Sequence, residues 1–336
     1  MSKTKVSFFE VTSLQKEYLT SKLSKSFDLS FFRDTLNEQN VTKVKNAEFL
    51  GIFISSQINK KILDELPNLK LISTMSTGFD HIDLAETKKR GVVVANVPFY
   101  GENTVAEHTF ALLLCISRKI IESNAKAKRG NFDPKGLMGF DLKGKTIGII
   151  GTGSIGKNVV KIACGFSMKV LAFDLNKDLS LEKDYGVKYV TIDELFKNSD
   201  IITLHVPYNK NTHHLINKSN INLLKKGAVI INTARGGLIE TEALYEALTS
   251  GHIKAAGLDV LEEEGFLKEE AELLCFDSSN CNLKTVVANH ILINHPNVIV
   301  TPHSAFNSKE AIKRILDTTI KNIVGFRLNK IQNVVP

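Results

Sequence analysis

From Thr146 the chain runs TIGII, then Gly151-Thr152-Gly153-Ser154-Ile155-Gly156, then the helix-compatible KNVVKIA, and reaches a second apolar run, KVLAF, that closes on Asp174. A GxGxxG alone is a weak signal, but one set between a strand pattern and a helix pattern restricts the local fold severely. Gly151 permits the tight turn, Gly153 lets the backbone approach a pyrophosphate, and Gly156 lets the new helix pack closely on the strand. The helix N-terminus then offers free N–H groups and a partial positive charge to phosphates. Asp174 ends the next strand, 23 residues after Gly151. A carboxylate there can accept both hydroxyls of an adenosine ribose and repels a 2′-phosphate, so the segment is expected to hold NAD rather than NADP. The bland alternative is an ordinary βαβ turn with a solvated aspartate.

The alternation extends in both directions. Strand-like runs follow at IITLHVP, AVIINTA, AAGLDV and NVIVTPH, with helical segments between them. These predict a large doubly wound parallel sheet. The first hundred residues carry a second set, KVSFFE, EFLGIFI, LKLISTMS and GVVVANVP, interleaved with polar helix-compatible stretches. At 336 residues the chain is long for one core and comfortable for two. The expected class is therefore α/β, with two doubly wound, Rossmann-like parallel-sheet domains and a cleft between them. Residues 103–121, NTVAEHTFALLLCISRKII, predict one long helix capped by Asn103 or Thr104 and apolar on more than one face. Residues 308–330 predict a final amphipathic helix with a polar tail.

Composition excludes several classes. No window approaches the roughly 18 uninterrupted apolar residues of a membrane span. The N-terminus lacks the apolar stretch and cleavage site of a secretory signal, so a cytoplasmic protein is expected. Cys115 and Cys164 lie in apolar, helix-like runs as small hydrophobes, and Cys275 and Cys281 are not expected to pair in a reducing compartment. With no CxxC pair, no metal site is expected. The formal charge of +7 is spread thinly, with KAKR at 126–129 the densest group. That pattern describes solvated surface rather than a nucleic-acid footprint, and it suits an anionic substrate or cofactor.

A dinucleotide motif does not name a reaction. Hydride transfer to a keto acid needs a cation to hold the carboxylate and polarise the ketone, and an acid to protonate the nascent alkoxide. It also needs a group that keeps this acid charged near neutral pH. Arg235 follows AVIINTA and precedes Gly236-Gly237, where its planar fork can face a carboxylate bidentately. His303 follows NVIVTP, and histidine is the natural proton donor near neutrality. Glu264 closes GLDVLEEE and, in contact with His303, would favour the protonated imidazole. Taken singly, each has a bland reading as a surface arginine, a structural histidine or a solvated glutamate.

Together they fall into a longer pattern. STGFDHID at 76–83, NVPFYGENTVAEHTFALLL at 96–114, GTGSIG at 151–156, LHVP at 204–207, INTARGGLIETEALYEAL at 231–248, GLDVLEEE at 257–264 and TPHSAFNSKEA at 301–311 cover nearly the whole chain. In this order they resemble the D-isomer-specific 2-hydroxyacid dehydrogenase family, and more narrowly its D-lactate dehydrogenase-type branch. The resemblance implies that Arg235, Glu264 and His303 are catalytic, the glutamate being the one five residues after Asp259. It implies that Ser76, Thr77 and Gly78 grip the substrate carboxylate through backbone N–H groups, and that Tyr100 and Phe306 line the substrate pocket. It assigns cofactor contacts to the glycine loop, Ser154, Ile155, Asp174, His205, Val206, Pro207, Thr212, Thr233, Ala234 and Asp259. A split substrate domain, 1–101 plus 304–336, around an NAD domain at 102–303 is implied too, as is a homodimer through the NAD domain.

One departure stands out. The stretch after Glu264, GFLKEEAELLCFDSSNCNLKTVVANH, is longer than expected and lacks the EP that follows the glutamate in many members. It bears on substrate choice and subunit contacts. The expected reaction is reduction of a small 2-keto acid to the D-2-hydroxy acid with NADH, as in D-lactate dehydrogenase. Glyoxylate, hydroxypyruvate, or a branched or aromatic keto acid is the alternative substrate; the short C-terminus speaks against 3-phosphoglycerate. An NAD-sensing binding protein on the same fold is the alternative from another class.

Overall fold

The computed structural model describes residues 3–262 and 283–336, with side chains from 287 onward in the second stretch. Glu264, Cys275, Cys281 and most of the extended segment lie outside the described residues. The chain divides into two compact units, one reaching to Tyr100 and resuming at Ser308–Pro336, the other spanning Gly101–Asn307.

In the first unit, strands β1 (Thr4–Phe8), β2 (Phe27–Phe31), β3 (Phe49–Ile52), β4 (Leu71–Thr74) and β5 (Val93–Ala95) form a parallel sheet in the order β2-β1-β3-β4-β5. Helices α1 (Ser13–Leu23), α2 (Lys60–Asp64) and α3 (Leu84–Lys89) connect the strands. One core gathers Leu50, Ile52, Ile62, Leu63, Ile72 and Val94. β2 escapes the sequence reading because FDLSF follows polar text and pairs on one side alone.

The second unit holds β6 (Thr146–Ile150), β7 (Lys169–Phe173), β8 (Lys188–Tyr189), β9 (Ile201–Leu204), β10 (Ala228–Asn232), β11 (Ile253–Leu258) and β12 (Val298–Val300). All pair in parallel, in the order β12-β11-β10-β9-β6-β7-β8. Alternate residues of each strand enter different cores. Ile147, Ile149, Ile201, Val229 and Ile231 pack with α4 (Glu102–Arg118) and α6 (Ser154–Gly165). Ile150, Ile202, Leu204, Ala228 and Ile230 pack with α8 (Ile192–Asn198) and α9 (Thr241–Thr249). Burial on both faces is why these strands are written as unbroken apolar runs. The remaining helices are α5 (Ile120–Lys128), α7 (Leu179–Tyr185), α10 (Leu283–Ile293) and, in the first unit, α11 (Lys309–Arg327).

The predicted helix over 103–121 is two helices. Lys119 takes a left-handed conformation at φ 54, ends α4 and begins α5. Neither Asn103 nor Thr104 caps it; the N-cap is Gly101, with no side-chain hydrogen bond. No glycine or proline marks the break, so it was invisible in the pattern.

Candidate active site

β6 and β9 are neighbours although β7 and β8 come between them in sequence. The strand order reverses there, and open α/β sheets bind ligands beyond the carboxyl ends of such a pair. The loops after these two strands touch. Gly151 has φ +94, and a Cβ on it would lie 2.5 Å from the His205 carbonyl oxygen and 2.9 Å from Val206 Cγ1. A Cβ on Gly156 would lie 2.0 Å from the Gly151 carbonyl oxygen, whereas Gly153 faces open space. The close packing and the open approach are thus both present. Ser154 and Ile155 open α6 behind a Gly153 N-cap that brings no side chain to its first N–H groups, an arrangement suited to an anion.

At the end of β7, Asp174 Oδ2 accepts from the Thr152 N–H at 2.6 Å and from Thr152 Oγ1 at 3.1 Å. Its Oδ1 accepts from the Asn176 N–H at 2.8 Å. A carboxylate oxygen has room for more than one donor, so Oδ1 keeps capacity for a ribose hydroxyl. Thr152 Oγ1 also meets the Tyr189 hydroxyl at 2.9 Å, which fixes the aspartate's orientation. A glycine loop of this geometry, hydrogen-bonded to an oriented carboxylate at the end of the next strand, fits a dinucleotide.

Beyond β9, the His205 N–H donates to the Ile150 carbonyl at 2.7 Å, and its Nε2 meets Thr203 Oγ1 at 2.9 Å. Among the described residues its Nδ1 makes no hydrogen bond. Burial pushes this imidazole down to about 3, so it is neutral at working pH. Thr212 Oγ1 donates to the Pro207 carbonyl at 2.7 Å and accepts from the Asn209 N–H at 2.8 Å, fastening that loop.

β10, β11 and β12 are consecutive in the sheet, and Arg235 and His303 follow the same end of β10 and β12. After β10, buried Asn232 organises the turn: its Oδ1 accepts from the Ala234 N–H at 3.0 Å, and its Nδ2 donates to the Arg235 carbonyl at 2.8 Å. Buried Thr233 meets Thr109 through a 3.0 Å hydroxyl contact. The Arg235 guanidinium, half-buried, donates to the Ala234 carbonyl at 2.8 Å.

After β11, Asp259 is 1% exposed. Its Oδ1 accepts from Thr301 Oγ1 at 2.5 Å and from the Ser304 N–H at 2.9 Å; its Oδ2 accepts from the Ala305 N–H at 2.8 Å. His108 Nε2 stands 3.4 Å from Oδ1. Burial pushes the Asp259 carboxyl up, but the hydrogen bonds from His108, Thr301 and the two N–H groups outweigh it and hold the pKa below the ordinary range. The carboxylate is thus committed to the loop that carries His303. His303 itself sits at φ 49, with its N–H shared between the Asp259 and Thr301 carbonyls, both at 2.9 Å. A left-handed histidine is an uncommon conformation, held here by its neighbours. Phe306 lies half-buried just beyond.

In the first unit, Ser76 Oγ donates to the Gly78 carbonyl at 2.7 Å, Thr77 Oγ1 donates to the Val97 carbonyl at 2.9 Å, and Asn96 Nδ2 donates to the Thr77 carbonyl at 2.8 Å. These bonds shape the loop through hydroxyls and carbonyls and involve neither the Thr77 nor the Gly78 N–H. The Tyr100 carbonyl accepts from Arg314 Nε at 2.6 Å.

Residues 110–305 match the family model for the NAD-binding domain of D-isomer-specific 2-hydroxyacid dehydrogenases. The chain belongs to that family. A 2-hydroxyacid dehydrogenase homolog of Haemophilus influenzae is 36% identical over 335 residues, covering 98% of this chain and 99% of the relative. A glyoxylate reductase of Thermococcus litoralis is 35% identical over 296 residues, covering 86% and 83%. Among solved structures, D-lactate dehydrogenase from Aquifex aeolicus, complexed with NAD and lactic acid, superposes with a TM-score of 0.86 at 36% identity, covering 97% of this chain and 96% of that one. This 2-hydroxyacid dehydrogenase therefore carries an NAD-binding domain built on the seven-stranded sheet.

Sequence reasoning missed three groups in the dehydrogenase: Asn232, which shapes the Arg235 turn; Thr152 with Tyr189, which orient Asp174; and Glu262. Only Asn232 left a signal, a polar residue ending an otherwise apolar buried run.

Proposed function

We propose that this dehydrogenase reduces a small 2-keto acid to the D-2-hydroxy acid, in the manner of D-lactate dehydrogenase. The observation that carries the reading is the emergence of Arg235 and His303 from the same end of β10 and β12, the two strands that flank β11, both organised through buried polar groups. NAD, when bound on the 151–156 loop and Asp174, supplies or accepts the hydride. Arg235 holds the substrate carboxylate through its fork and polarises the carbonyl. His303 gives its proton to the carbonyl oxygen during reduction and takes it back during oxidation. Glu264 is assigned to keep His303 protonated. The Thr77 and Gly78 N–H groups, on their own loop, offer two donors suited to a carboxylate.

Glyoxylate is the second substrate reading, supported by the glyoxylate reductase relative. The protein is proposed to be cytoplasmic; no helix among the described residues is long and apolar enough to cross a membrane. A homodimer is proposed through the NAD domain, supported by α5, which buries none of its residues in the chain, and by Phe132 and Met138, 84% and 91% exposed. Light scattering after gel filtration checks it.

The deciding assay follows NADH absorbance against pyruvate, phenylpyruvate, 2-ketoisocaproate, glyoxylate and hydroxypyruvate, with the product's chirality read by a stereospecific second enzyme. D-lactate from pyruvate is the expected outcome. Inactivity across the panel transfers the reading to an NAD-sensing binding protein.

A further inference from the structure

Glu262 stands among three consecutive glutamates, a setting that suggests a solvated loop. Its side chain is only 14% exposed, and every polar atom of it is used. Oε1 accepts from His214 Nε2 at 2.6 Å; Oε2 accepts from the Thr241 N–H at 2.9 Å and from Thr241 Oγ1 at 2.6 Å. Its carbonyl accepts from Asn289 Nδ2 at 2.7 Å. A largely buried carboxylate with three donors is a built feature.

The contacts close into a ring around the turn that presents Arg235. A Cβ on Gly236 would lie 2.0 Å from the Leu261 carbonyl carbon and 2.3 Å from Glu262 N, so the turn presses directly on the backbone of 261–262. On the other side, a Cβ on Gly237 would lie 2.6 Å from the Tyr208 ring. The Tyr208 hydroxyl meets His213 Nδ1 at 3.0 Å, and the His213 ring stacks on His214 with centroids 3.8 Å apart. His214 completes the circuit: its N–H donates to the Gly237 carbonyl at 2.8 Å while its Nε2 reaches Glu262. His214 does this at φ 49, a conformation that persists only where neighbours over-determine it.

We infer that Glu262, acting through His214, is the positioning residue that sets the aim of the Arg235 guanidinium. This deepens the proposed function and rests on it for the role of Arg235. Neither Glu262 nor His214 is needed for hydride or proton transfer; both act on where the substrate carboxylate is held. A displacement of about 1 Å at such a clamp can lower kcat/KM by about 100-fold.

The test uses the full-length enzyme with Glu262→Ala, Glu262→Gln and His214→Phe. Glutamine can still accept from Thr241 and donate to the other imidazole tautomer, so Glu262→Gln is expected to stay within about threefold of wild type. Glu262→Ala and His214→Phe are expected to raise the keto-acid KM and the dissociation constant of oxamate by about 10–100-fold, with NADH affinity within about twofold. The double variant should lose no more than the worse single one. Hydrogen exchange, independent of activity, should quicken at 233–238 and stay unchanged at 146–156. Unchanged oxamate binding and unchanged exchange at 233–238 in either folded variant overturns the inference, as does an equal loss of NADH binding. A wild-type enzyme inactive on every keto acid refutes the proposed function, while the exchange result still decides whether Glu262 holds the turn.

Discussion

Replacing Asp259 by asparagine keeps the shape of the side chain and removes its charge. The amide group fits best in place of Oδ2, since that oxygen has one donor, Ala305 N–H, whereas Oδ1 serves Thr301 and Ser304. Two donors then face each other in a site 1% exposed, one charge-assisted bond is lost, and two others become neutral. Relief of carboxylate desolvation offsets part of this, leaving a net cost of about 2–4 kcal/mol. For a unit of this size each kcal/mol lowers Tm by about 2–4 °C, so a fall of roughly 5–15 °C is expected. The same bonds hold the 301–305 loop against the strain of a left-handed His303, which costs about 1–3 kcal/mol. Weakening the brace by about 2–4 kcal/mol lowers the ratio of competent to released loop by roughly 30–1,000-fold, and kcat/KM should fall by up to that factor. The pH dependence has a definite sign. The folded pKa of Asp259 lies below the ordinary value of about 3.9, so its contribution is complete above that pH and is lost as pH falls towards the folded value. Asp259→Asn should lack this acid limb below about pH 4. Differential scanning fluorimetry across pH, with steady-state NADH oxidation, measures both effects. An Asp259→Asn enzyme with unchanged Tm and kcat within threefold of wild type refutes the brace.

His303→Asn tolerates the left-handed backbone and removes the proton, so kcat should fall by about 10²–10⁴-fold at unchanged Tm; activity within threefold of the parent removes His303 from acid–base duty. Arg235→Lys keeps the charge and loses the fork, and a kcat/KM equal to wild type in the keto-acid assay rules out bidentate holding. Asp174→Ala should raise the NADH KM by about 10–100-fold without harming NADPH; a parent enzyme that already uses both cofactors equally contradicts the ribose role. His205, held to about 3 when folded against about 6.5 when unfolded, makes the apoprotein less stable as pH falls below about 6.5. The loss is up to about 1.4 kcal/mol per pH unit, and His205→Asn should flatten it in denaturant titrations at pH 7 and 5; parallel curves count against a desolvated, neutral imidazole.

The sheets were legible because strands buried on both faces must be written as apolar runs, and those at 146–150, 201–204 and 228–232 could be little else. β8, two residues long, and the break at Lys119 left no such trace, since each depends on what packs around it. The site divides in the same way. Residues facing a ligand stand in recognisable text at strand ends, whereas those that aim them are ordinary residue types whose meaning is tertiary. Glu262 belonged to an apparent solvated run, and His214 was one of nine histidines. The structure gives these unmarked positions a common logic. Two histidines of the NAD-binding unit adopt left-handed backbone, His303 and His214, and each is tied to the short stretch that leaves β11. Asp259 braces the His303 loop, and Glu262, three residues on, braces His214 and through it the Arg235 turn. The proposed proton donor and the proposed carboxylate clamp are thus referenced to one piece of backbone. Both supports branch from residues 259–262 rather than from two separate elements, so the carboxylates of Asp259 and Glu262 constrain the two turns from a common base.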